Sequence, residues 1–172
     1  MNILNTKSLF QNLKIEKNTL STKQKKDLNN NGFIILKSTS YMKKNVRLLR
    51  SVTKKLIKKE GVKGGWEGKE QYYKKGKSFE KGTNRLGNLI NKHSAFRDLI
   101  TIPEILQCAY QVTKSDIKIA GLNLRNPLKN SGKQRIHMDW KPRKKKTDKF
   151  AGIVCFVFLD DANKTNGALR LI

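Results

Sequence analysis

Acidic side chains are scarce in this chain: 13 Asp and Glu face 38 Lys and Arg, giving a formal charge of +25 and a pI of about 10.3. Cysteine is scarcer still, with two in 172 residues, and both Cys108 and Cys155 lie inside apolar segments. That excludes a disulfide scaffold and a Cys-based zinc site, and casts each thiol as a small core hydrophobe. Long apolar runs are missing as well. The longest, Phe150 to Leu159, is about half of what a helical bilayer crossing needs, and the opening MNILNTKSLFQNLKIEKN lacks the apolar centre of a signal peptide. The expectation is a cytoplasmic protein with no membrane-bound part. What is present suffices for a core, because 37% hydrophobic and 8% aromatic residues come in blocks. The length suits one domain or part of a larger one, and wholesale disorder is excluded.

A pI this high is the usual footprint of phosphate binding. Thirty of the 38 basic residues are Lys, however, and eight are Arg. Base and phosphate recognition favours the planar, bidentate guanidinium. Asn and Ile are also abundant, with 16 and 14 copies. The pattern fits a coding bias that decorates any surface with Lys, so a basic nucleic-acid-binding protein is the alternative reading rather than the first.

Residues 1–30 read as a polar N-terminal segment ending in the turn signal Asn29-Asn30-Asn31-Gly32, and residues 31–172 as the folded domain. Phe33-Ile34-Ile35-Leu36 predicts a short buried strand. Met42, Val46, Leu49, Val52 and Leu56 recur at helical spacing after potential caps at Ser38, Thr39 and Ser40, which predicts an amphipathic helix of about five turns. Its outer face, with Lys43, Lys44, Arg47, Arg50, Lys54, Lys55, Lys58 and Lys59, reads as a solvated surface. Between Gly61 and Gly82, six glycines alternate with Trp66, Tyr72, Tyr73, Phe79 and lysines, the composition of a loop that folds over something. Gly64 to Lys69 only superficially resembles a phosphate-binding loop, since the glycine spacing is one short and Glu70 stands where a Ser or Thr would bind magnesium.

Residues 85–113 look helical in short pieces, with Pro103 placed to start a helix. Beyond them the period changes. Ile117, Ile119, Leu122 and Leu124 alternate up to Asn126-Pro127, Phe150 to Leu159 reads as a strand buried on both faces, Asn163 to Gly167 as a turn, and Ala168 to Ile172 as another strand. Helices first and strands afterwards, without βαβ alternation, indicate an α+β chain around an antiparallel sheet or barrel.

The chemistry-bearing stretch is Gln134-Arg135-Ile136-His137-Met138-Asp139-Trp140. In an extended segment residues i and i+2 share a face, so the His137 imidazole and the Asp139 carboxylate would converge on one point. One His and one carboxylate, completed by a distant second His, form the facial set of non-haem iron oxygenases. His93 sits in a turn before Phe96 and reads as a helix-boundary residue, not a ligand. Gln134 and Trp140 flank the motif and are placed to pack or hydrogen-bond around it.

The order of these pieces resembles the phytanoyl-CoA dioxygenase family of Fe(II)- and 2-oxoglutarate-dependent oxygenases, over residues 25–172. The resemblance rests on Asn31-Gly32-Phe33-Ile34-Ile35-Leu36, the helix after it, Gly65-Trp66-Glu67, Arg125-Asn126-Pro127, and His137-Met138-Asp139-Trp140. It rests most on Val157-Phe158-Leu159-Asp160-Asp161 with Asn166-Gly167-Ala168-Leu169-Arg170-Leu171-Ile172. It implies a double-stranded β-helix (jelly roll) with helices packed outside, incomplete at its C-terminal end. The second His ligand and the Arg that binds the far carboxylate of 2-oxoglutarate would follow Ile172, so this piece alone is expected to be inactive. It further implies that His137 and Asp139 hold Fe(II), that Leu122 and Phe156 line the 2-oxoglutarate pocket, and that a C–H bond of a small molecule is hydroxylated while 2-oxoglutarate becomes succinate and CO2. Asp139 stands where related halogenases lack a carboxylate, which favours hydroxylation or a related oxidation. The lysines of the loop and of Lys141 to Lys149 point to a polar or anionic substrate.

Overall fold

The structure, a computed structural model, describes residues 5–60, 82–139, 143–145 and 147–171. The Gly61 loop, with its aromatics and Gly65-Trp66-Glu67, lies outside the described residues apart from Gly82, and so do Trp140 and Ile172. The chain forms two compact units. One gathers the described residues of Met1–Lys44, Asp98–Ala120 and Met138–Cys155, and the other those of Asn45–Arg97, Gly121–His137 and Phe156–Ile172. Residues 5–44 thus belong to the same unit as residues 98–120.

The polar N-terminal stretch is helical because its ends are capped. In α1 (Thr6–Asn12) the Asn5 side chain accepts the Ser8 amide at 2.9 Å. Helix α2 (Thr22–Asn31) opens on a capping box: the Gln24 amide donates to Ser21 Oγ at 3.2 Å, and the Ser21 amide donates to Gln24 Oε1 at 2.8 Å. It closes where Gly32, at φ +76°, takes the left-handed conformation and returns its amide to the Leu28 carbonyl. The run of asparagines read as a turn is therefore the last turn of a helix. Beyond it, Ile34 and Leu36 pack half-buried on a cluster of Leu20, Leu28 and Cys108, while Phe33 and Ile35 stay exposed. The alternation of a strand is present, but among the described residues no partner backbone forms a ladder with it, and the expected strand is not found there.

Helix α3 (Ser40–Glu60) follows the expected periodicity and runs a turn longer. Thr39 caps it, its Oγ1 accepting the Met42 amide at 3.2 Å. Leu49 and Val52 are buried, and every basic side chain from Lys43 to Lys59 is exposed. In the second unit Arg50 ties this helix to a later turn: its Nε donates to the Leu159 carbonyl at 2.6 Å and its guanidinium meets the Asp160 carboxylate at 3.0 Å. Glu60 pairs with Lys92 at 2.5 Å, both side chains being mostly shielded from water.

Strands β1 (Thr83–Leu86) and β2 (Leu124–Pro127) pair antiparallel, with Thr83 opposite Pro127 and Leu86 opposite Leu124. Leu86 is 0% exposed. A 3-10 turn (Leu89–Asn91), α4 (Ser94–Leu99) and α5 (Pro103–Thr113) follow β1. Pro103 occupies the start of α5, and Lys114, in the left-handed region, ends it by donating its amide to the Tyr110 carbonyl. Among the described residues this pair is the one regular sheet. Residues 117–123, 150–159 and 168–171 carry strand composition without a ladder. A strand is defined by its partner, and composition does not supply one. The two-sided burial expected for Phe150 to Leu159 does not hold either: Phe150, Val154, Phe156 and Phe158 are exposed, while Ile153 packs on the Leu20–Leu28–Cys108 cluster. No described helix is long and apolar enough to cross a membrane.

Candidate metal centre

The route to His137 begins at the end of the β1–β2 pair. The Leu128 amide donates to the Gly82 carbonyl at 2.8 Å, and Ser131 Oγ donates to the same carbonyl at 3.1 Å. Gly132, at φ +71°, then turns the chain within van der Waals range of Gly82. A Cβ on Gly132 would stand 2.7 Å from Thr83 Oγ1 and 2.8 Å from the Gly82 carbonyl oxygen, so the approach requires glycine. The Arg125 guanidinium donates to the Gly132 carbonyl and fastens the turn from the strand side.

From this clasp the chain runs through residues 133–138 with neither helix nor ladder, and Asp139 sits in a bend. No helix passes through Ile136 to Asp139. Gln134, His137 and Asp139 are all exposed, and Ile136 and Met138 are 70% and 71% exposed. The His137 ring is oriented by its own backbone: Nδ1 lies 2.7 Å from the Arg135 carbonyl oxygen. A carbonyl only accepts, so Nδ1 carries the proton and, in the neutral ring, Nε2 carries the lone pair. A backbone carbonyl on one ring nitrogen is the usual device for presenting the other to a metal.

The remaining expected site residues are more dispersed in character. Leu122 is half-buried and its carbonyl accepts the Leu89 amide at 3.0 Å, so its backbone is committed to holding the 3-10 turn. Phe156 is 54% exposed. His93 behaves as a helix-boundary residue: its Nδ1 accepts the Ala95 amide at 3.1 Å and its ring meets Phe96 edge-on. Among the described residues no three His, Cys, Asp or Glu side chains stand close enough to share a metal ion. His137 and Asp139 belong to no such group.

A depression of about 420 Å3 went unremarked in the sequence. It lies in the first unit, walled by Thr6, Lys7, Tyr110, Lys114 and Asp116 among others. The Thr6 amide donates to Asp116 Oδ1 at 2.8 Å, and Thr6 Oγ1 accepts the Ile117 amide at 3.1 Å. The backbone amide and then the hydroxyl of Thr6 hold the Asp116 carboxyl below its ordinary range. Nothing in the local pattern marks this contact, which joins residues 110 apart in sequence. Set against family models, curated proteins and solved structures, the chain gives no match.

Proposed function

We propose that this chain is part of a cytoplasmic Fe(II)- and 2-oxoglutarate-dependent oxygenase of the phytanoyl-CoA dioxygenase kind, acting on a small, polar or anionic molecule. The observation that carries the reading is the His137 ring, whose Nδ1 proton is engaged by the Arg135 carbonyl so that Nε2 is the donor, two residues before the Asp139 carboxylate.

In this reading His137 and Asp139 hold the iron, which when bound supplies the oxidative chemistry together with 2-oxoglutarate and dioxygen. The chain's own contributions are the tautomer of His137, the negative charge of Asp139, and the glycine clasp that anchors the segment bearing His137. Two protein donors give weak binding, so the test begins with metal alone. Cobalt(II), a spectroscopic stand-in for Fe(II), should bind the 172-residue chain weakly, and both His137→Ala and Asp139→Ala should abolish that binding. A chain extended past Ile172 should convert 2-oxoglutarate to succinate only with Fe(II), and lose most of that turnover in either variant. Undiminished cobalt binding in both variants, or iron-dependent succinate formation that survives both, refutes the assignment.

One observation favours the alternative, a nucleic-acid-binding surface: the exposed Lys and Arg of α3 are interrupted by no acidic residue of the helix itself before Glu60, and Arg50 alone among them is shown paired, with Asp160. Duplex binding measured across a salt series separates the two, since binding by lysine charge alone vanishes near physiological salt without sequence preference.

A further inference from the structure

Neither thiol has a part in the proposed chemistry, and both belong to the first unit, Cys108 on α5 and Cys155 in a later segment. Cys108 lies on α5 and is buried in the cluster with Leu20 and Leu28. Ile153 packs against that cluster from the later segment. Cys155 is two residues beyond Ile153 in a stretch without helix, where alternate side chains share a face at a spacing of about 7 Å. Cys155, itself exposed, thus stands two residues along from the contact that brings this segment to the cluster of Cys108.

We propose that Cys108 and Cys155 are a paired dithiol, oxidised to an intramolecular disulfide by a low-molecular-weight disulfide of the glutathione type. Cys155, the accessible partner, attacks one sulfur of the small disulfide as thiolate and displaces one small thiolate, forming a mixed disulfide. Cys108, deprotonated in turn, attacks the Cys155 sulfur and expels the second small thiolate. The protein loses two protons and two electrons, and one small disulfide becomes two small thiols. Formation of the bond clips the segment around Ile153 to α5, and a reducing dithiol reverses it.

The electrostatics agree with the placement and set the conditions. Burial, then the charge of Cys155, then that of Glu104 push the Cys108 thiol up to about 11, and burial raises Cys155 as well. Because the thiolate is the attacking species, oxidation is slow at neutral pH and accelerates as pH rises.

The experiment uses the full chain and oxidised glutathione, with digestion and mass spectrometry in the absence of reductant. The expected product is one cross-linked peptide pair joining Cys108 to Cys155, with a mass loss of about 2 Da per chain. It should form much faster in native buffer than in concentrated urea, where proximity is lost. In Cys108→Ser the mixed disulfide on Cys155 should accumulate because nothing resolves it, and in Cys155→Ser the buried Cys108 should stay unmodified. The wild-type result stands without the variants, should either fail to fold. Stable glutathione adducts on the wild-type chain, disulfides between chains instead of within one, or equal cross-linking rates in native buffer and urea would overturn the proposal.

Discussion

Replacing Gly132 by Ala tests the clasp that leads to His137. Two costs are involved and they have separate origins. At φ +71° a side chain enters the left-handed region, which costs about 1–2 kcal/mol for a residue with a Cβ. The new methyl would also lie 2.7 Å from Thr83 Oγ1, 2.8 Å from the Gly82 carbonyl oxygen and 3.0 Å from Pro127 Cβ. Two of these neighbours are backbone oxygen and a proline ring, which cannot rotate away, so the β1–β2 end must open at a further cost of about 1–3 kcal/mol. The sum is about 2–5 kcal/mol. Gly32 provides the control, since it has φ +76° and no atom within 4 Å of the position its Cβ would take. Gly32→Ala therefore carries the conformational cost alone, about 1–2 kcal/mol. Urea denaturation of both variants gives the totals, and hydrogen exchange at the Leu128 amide, which donates to the Gly82 carbonyl, reports the local opening. If Gly132→Ala costs no more than Gly32→Ala, and Leu128 stays protected, the close approach of Gly82 and Gly132 does not hold the turn.

Two further predictions concern the first unit. Ser21→Ala removes the acceptor for the Gln24 amide and half of the capping box, so stability should fall by about 1 kcal/mol in urea titration, with helix loss confined to α2 by exchange; an unchanged midpoint would refute the cap. Asp116 has its carboxyl lowered by Thr6, so its contribution is present above the unfolded carboxyl value near pH 4 and is lost as pH falls through the lower folded value. The stability gap between wild type and Asp116→Asn should accordingly narrow as pH drops from 6 to 2, and a gap constant over that range would show that the Thr6 amide does not favour the charged form.

The helices were legible where the signal is local. The step of three and four from Met42 to Leu56 places α3 to within a turn, because a helix satisfies its own backbone and needs only one apolar face and a cap. Pro103 announces α5 for the same reason. His93 was recognisable as a boundary residue from its place before Ser94 and Phe96, and the structure gives it the Ala95 amide. Helices α1 and α2 went unread although Ser21 and Gln24 stand at capping-box spacing, since the polar composition around them masked the signal.

Strands and site geometry obey a different rule. Phe33 to Leu36 and Phe150 to Leu159 have the composition of buried strands, the second apolar enough for burial on both faces, yet Ile34, Leu36 and Ile153 pack inward while Phe33, Ile35, Phe150, Val154, Phe156 and Phe158 stay exposed. Whether a ladder forms depends on a partner backbone that no local pattern specifies, and the structure pairs Thr83–Leu86 with Leu124–Pro127 instead. The sequence likewise determined that an imidazole and a carboxylate occur two residues apart without a helix between them. Only the folded structure decided which His137 nitrogen carries the proton, through the carbonyl of Arg135 two residues back, and where the segment starts, through two glycines 50 residues apart that admit no Cβ between them. Hydrogen-bond direction and close approach depend on atoms brought together by folding, whereas spacing along one element is already present in the chain.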